Sequence, residues 1–149
     1  MKKIFGLVFF ISFQVSCMGT NTGNPGLNPN SGQAPATTTL MSTVCDRIAA
    51  CFGGANSLTC IGQVTTVNSY TSTLGNVASS YSTMSSLGAA ETNGIVVSNS
   101  TNLQACKTAI QQLSCSDTLV TQSYSTSNPS SYALTKLLFQ ASTSCQQVY

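Results

Sequence analysis

Histidine and tryptophan are absent from this chain, and charged residues make up only 5% of it. Ordinary soluble domains carry about 25%. Without histidine, general acid–base work falls to the few carboxylates. The serines have no imidazole base, and no pattern around Lys107 or Lys136 suggests a Ser-Lys pair. No CxxC and no glycine-rich phosphate loop occurs. A zinc site would need four thiolates from scattered positions. No metal, cofactor or catalytic residue is therefore expected, and the chain reads as a non-enzyme.

The charge balance excludes another class. Beyond residue 16, Arg47, Lys107 and Lys136 face Asp46, Glu91 and Asp117, so the net charge of +2 belongs to Lys2 and Lys3. No basic patch remains, and with it goes the electrostatic term that dominates nucleic-acid binding. Asp46 adjoins Arg47, but neighbours on a helix do not face each other. Polarity comes from Ser, Thr, Asn and Gln instead.

What is present begins with the first residues. Lys2 and Lys3 precede an uncharged run from Ile4 to Val15, followed by Ser16, Cys17, Met18 and Gly19. A basic start, a short apolar stretch and small residues after it are the parts of a secretory signal. The run is too short to span a bilayer as a helix, which takes roughly 20 apolar residues. Residues 18–38 are rich in Gly, Asn, Pro and Thr. They read as a disordered tether with a mean span of about 25 Å.

Gln14-Val15-Ser16-Cys17 resembles the lipobox of bacterial lipoproteins. In that family a diacylglycerol is attached to the cysteine, which becomes the new N-terminus. Val15 and Ser16 fit the pattern; Gln14 stands where an aliphatic residue is usual. The resemblance implies lipidation of Cys17, a signal peptide over 1–16 and a lipid-anchored linker over 17–39. Met18 is not the aspartate linked with inner-membrane retention, which implies the outer membrane or cell surface. The alternative is ordinary cleavage, for instance after Gly19, giving a free periplasmic or secreted protein.

Six cysteines follow the tether: Cys45, Cys51, Cys60, Cys106, Cys115 and Cys145. An even set in an exported chain reads as a disulfide framework. Residues 40–149 are expected to form one cysteine-rich domain. Val44, Ile48 and Phe52 predict a helix over 40–52, capped by Gly53-Gly54. Ser57 opens a second helix towards Leu74, stopped by Gly75, with a strand over 63–74 as its competitor. Val77, Tyr81 and Met84 predict helix over 76–87, and Gly88–Gly94 reads as a loop. Ile95–Val97 is extended or buried. Leu103, Cys106, Ile110 and Leu113 mark a helix over 100–113. Asn99-Ser100-Thr101 matches a glycosylation sequon and reads as that helix's cap. A short helical turn follows Asp117, and Asn128-Pro129-Ser130 is a break. Leu134, Leu137, Leu138, Ala141 and Cys145 predict a last helix over 130–146.

The fold class is thus all-α: a small disulfide-stapled bundle of four to five helices behind the tether. Cys45 and Cys51 lie about 9 Å apart along one helix, beyond the ~7 Å that a bridge allows between Cα atoms. The simplest short bridge is Cys51 to Cys60, leaving Cys45, Cys106, Cys115 and Cys145 to tie the bundle.

VCDRIAACFGG (44–54) and LQACKTAIQQLSC (103–115) resemble phrases of small cysteine-rich bacterial lipoproteins without assigned biochemistry. That resemblance implies a stapled helical domain and transfers no catalytic residue. The cysteine spacing does not match the elicitins, small helical sterol binders. The expected role is structural or interactive at the cell envelope, with the membrane held through the lipid and an envelope or surface protein as partner. The alternative is a carrier for a small apolar ligand. Tyr70, Tyr81, Tyr132 and Phe139 permit that, although core packing explains them more simply.

Overall fold

The computed structural model describes residues 34–67, 70–125 and 132–149. The expected signal over 1–16, Cys17, most of the expected linker over 17–39 and the expected 128–130 break lie outside the described residues. Among those described there is helix and no strand. Five α-helices occur: α1 Ala36–Cys51, α2 Ser57–Val64, α3 Met84–Thr92, α4 Ser100–Gln112 and α5 Thr118–Ser123. Four 3₁₀ segments accompany them: Thr71–Thr73 and Ala78–Ser80 lie between α2 and α3, and Ala133–Ala141 and Thr143–Gln147 follow α5.

α1 is the central element. It packs against α2, α3, α4 and the Ala133–Ala141 segment. Leu40, Val44 and Ile48, at i, i+4 and i+8, are wholly buried along its inner face. The helix begins at Ala36 rather than Leu40, directly behind Pro35, whose φ of −48° suits a helix start. It ends when Phe52 turns extended. Gly53 and Gly54 form the following turn and do not take the left-handed φ of a glycine cap.

α2 is capped by Asn56, not Ser57: Asn56 Oδ1 accepts the Thr59 N–H at 2.9 Å. It stops at Val64, well short of Leu74. Thr65 and Thr66 turn their hydroxyls back onto the carbonyls of Ile61 (2.6 Å) and Gln63 (3.2 Å). Such local bonds compete with a continuing helix. Gly75 is not a helix stop. Its φ is +123°, and a Cβ there would lie 2.5 Å from the Tyr149 carbonyl oxygen. The residue is glycine because the Gln146–Tyr149 backbone crosses it.

The helix expected over 76–87 is displaced. Ala78–Ser80 makes one 3₁₀ turn, Tyr81 is extended, and α3 starts at Met84. A reciprocal cap between Thr83 and Ser86 starts it there. Most of the expected loop 88–94 is therefore helix. Gly94 ends it, with φ +70°, the Gly94 N–H on the Glu91 carbonyl and the Ile95 N–H on the Ala90 carbonyl. That pair of bonds is a Schellman cap. Beyond it Val96 is buried, whereas Ile95 and Val97 are exposed.

α4 forms where its periodicity placed it. Asn99 caps it, and Leu103, Cys106 and Ile110 are buried. Asp117 caps α5, whose Val120 is buried. The last segment is not an α-helix. Ala133–Ala141 is 3₁₀, Ser142 is extended, and Thr143–Gln147 is 3₁₀ again. At three residues per turn, Tyr132, Thr135 and Leu138 align and are buried, while Leu134 is 51% exposed. Thr135 Oγ1 donates to the Tyr132 carbonyl at 2.6 Å, closing that tighter turn.

Three disulfides staple these elements: Cys45–Cys60, Cys51–Cys115 and Cys106–Cys145. The expected Cys51–Cys60 bridge does not form. At about 100° per residue, six positions turn Cys51 roughly 240° round α1 from Cys45. Cys45 therefore faces α2, and Cys51 faces the connection after α4. The enclosed spans are 15, 64 and 39 positions. Loop-closure entropy then assigns about 3 kcal/mol to the shortest bridge and about 4 kcal/mol to each longer one. The spans overlap in sequence, so no part of the described framework is closed off from the rest. Disulfides in this number are the mark of an oxidising, extracytoplasmic compartment. No helix among the described residues is long and apolar enough to cross a membrane.

Candidate functional site

Each side-chain carboxylate among the described residues is engaged by donors. Asp46 Oδ1 accepts the Ser57 hydroxyl at 2.6 Å, joining α1 to α2. Asp117 Oδ1 accepts the Leu119 N–H at 2.8 Å and caps α5. Glu91, on α3, is buried and accepts four bonds. They come from the N–H groups of Ala36 (2.8 Å) and Thr37 (3.2 Å), the Thr37 hydroxyl (3.2 Å) and the Tyr149 hydroxyl (3.0 Å). α1 has no side-chain cap of its own. The Glu91 carboxylate supplies it from another element, where the helix dipole favours negative charge. A Cβ on Gly88 would lie 2.8 Å from Thr37 Oγ1, so that glycine lets α3 approach α1 closely. Burial, then the neighbouring Glu91 charge and its hydrogen bond, hold the Tyr149 hydroxyl far above its usual range.

The same Tyr149 lines an open groove of about 750 Å³. Ser72, Asn76 and Ser79 face it from the chain between α2 and α3, and Gln140, Gln146 and Gln147 from the 3₁₀ segments. Phe139, itself buried, and Val77, half exposed, add apolar surface. None of the lining side chains is charged. Amides supply donors and acceptors together, so the groove suits an uncharged, hydrogen-bonding partner better than an anion or a cation. Gly75 is part of its wall, where only a residue without a Cβ leaves the Gln146–Tyr149 backbone in place.

The aromatic residues raised as candidates mostly pack the core. Tyr70, Tyr132 and Phe139 are at most 2% exposed. Tyr70 meets Phe139 edge-on at 5.9 Å, and Tyr132 lies 5.2 Å from Tyr124. Tyr81 is half-buried, and its carbonyl accepts the Thr71 hydroxyl. The six cysteines are all bridged, and four of them are fully buried. No group of three or more metal-ligating residues occurs among the described residues. Cys17 lies outside them.

No protein-family model, curated protein or solved structure matches the chain. The groove was not visible in the sequence. Its two walls come from segments some sixty positions apart, and no motif marks either. The Glu91 cap was hidden for the same reason, its backbone donors being 54 and 55 positions away.

Proposed function

We propose that this chain is an exported lipoprotein of the cell envelope, anchored through Cys17 on the outer membrane or cell surface. Its tether carries the stapled domain just off the membrane. The domain has a structural or interaction role and engages an envelope or surface protein through the uncharged groove. The groove itself carries this reading: it is polar, open and built on a covalently braced scaffold. The basic start, the lipobox-like QVSC and the disulfides support the address. The engagement of every described carboxylate in a structural hydrogen bond supports a role without catalysis.

The carrier reading has less support. An apolar ligand would leave the groove's amides unpaired, at a cost of roughly 1–3 kcal/mol for each one desolvated. Of the candidate aromatics, Tyr70 packs on Phe139 and Tyr132 on Tyr124 within the core.

Site-specific photo-crosslinking tests the reading. A crosslinker at Gln146 is expected to give one discrete envelope adduct, and a crosslinker at the remote exposed Leu58 none. Equal adducts from both positions, or none from Gln146, would refute the groove as the contact face.

A further inference from the structure

The three disulfides are not alike. Cys45, Cys60, Cys106 and Cys145 are wholly buried. Cys51 is only partly buried, and Cys115 is exposed. Beside this open bridge sits the chain's single arginine. Arg47 Nη2 points at Cys115 Sγ from 3.9 Å. The neighbouring Asp46 accepts the Ser57 hydroxyl. The buried Arg47 Nε has no hydrogen-bond partner among the described residues. A guanidinium gains little from a neutral disulfide. It gains a full charge partner from a thiolate.

We propose that Cys51–Cys115 is a thiol-exchange site, opened by low-molecular-weight thiolates such as glutathione, with Arg47 receiving the leaving sulfur. The attacking thiolate bonds to Cys51 Sγ. The Cys51–Cys115 bond breaks, and its electron pair departs on Cys115 Sγ as a thiolate beside the guanidinium. One disulfide is lost and one is formed, so no external oxidant or reductant is consumed. Return attack by Cys115 on Cys51 Sγ expels the small thiol and restores the bridge. The attacked sulfur is set by the leaving group, because exchange is faster when the departing thiol is the more acidic one. A half-covered Cys51 favours a small nucleophile over a bulky one.

Opening this bridge frees the connection between α4 and α5 from the end of α1. The other two bridges still hold α1 to α2 and α4 to the Thr143–Gln147 segment. The domain therefore has one reversible staple and two permanent ones.

The test uses the folded full chain, with glutathione as probe at neutral pH, rapid alkylation, and peptide mass mapping. Glutathione is expected on Cys51, the alkyl group on Cys115, and the other two bridges intact. Arg47→Gln is expected to slow the exchange about tenfold, and Arg47→Lys, which keeps the charge, to stay within about threefold of the parent. Far-ultraviolet circular dichroism checks that both variants fold. If Arg47→Gln does not, the position of glutathione on the parent protein decides alone. Glutathione on Cys115, equally fast opening of a buried bridge, or a folded Arg47→Gln exchanging at the parental rate would each overturn the proposal.

Discussion

The Glu91 carboxylate accepts the backbone N–H of Ala36 at 2.8 Å, across 55 positions of sequence. This contact fixes the point where the described chain enters the domain. α1 starts behind a proline and has no capping side chain of its own. Glu91 closes that end from α3, and the Tyr149 hydroxyl closes the other side of the carboxylate.

Glu91→Gln should lower stability by about 2 kcal/mol, the order expected when hydrogen bonds to a buried charged acceptor are weakened. The amide retains one accepting oxygen but turns an NH₂ towards donors. Urea unfolding checks the size. Hydrogen exchange checks the place: the Ala36 and Thr37 amides should lose protection before those of α4. An unchanged urea midpoint would remove Glu91 from the role of cap.

Alkaline pH should destabilise the domain in a definite window. Burial holds the Tyr70 hydroxyl far above its usual range, and burial with the Glu91 charge does the same for Tyr149. Both are neutral in the native state when the unfolded chain begins to ionise near pH ~10. The unfolded state then binds fewer protons than the native one. Stability is full below that pH and falls above it, by about 1.4 kcal/mol per pH unit for each such tyrosine. Urea midpoints from pH 8 to about 11 check the slope, and Tyr70→Phe should reduce it.

Glycine substitutions should separate by location. At Gly75 an added Cβ would meet two backbone oxygens, at 2.5 and 2.8 Å, in a left-handed conformation. Gly75→Ala should cost upwards of about 2 kcal/mol and deform the groove wall. Gly62 lies inside α2 with nothing within 4 Å of its would-be Cβ. Gly62→Ala should stabilise by about 0.5–1 kcal/mol through helix propensity. Thermal denaturation of both variants checks the opposite signs.

Local signals were legible where local chemistry decides the structure. α4 shows its cap, its spacing and its end within fourteen residues, and it forms as read. The six-cysteine set was equally plain. The bridge pattern was not, because it depends on how α1 is rotated against its neighbours. Cys45 and Cys51 share a helix and face different partners. The last segment departs from its expected α-helix because its apolar spacing fits 3.6 residues per turn, whereas the chain winds at three. That difference moves Leu134 from the core to the surface and brings Thr135 inside. Gly88–Gly94 reads as a loop, yet Gly88 sits within α3, where its missing Cβ admits Thr37. The groove had no local signature, since a fold is needed to bring Asn76 near Gln146.

The most direct test is the intact mass of the mature protein recovered from its membrane fraction. The account predicts a chain beginning at an acylated Cys17, lighter by six hydrogens for its three bridges. A mature chain lacking Cys17 and any acyl group would contradict the anchored lipoprotein, and six free thiols would contradict the stapled domain.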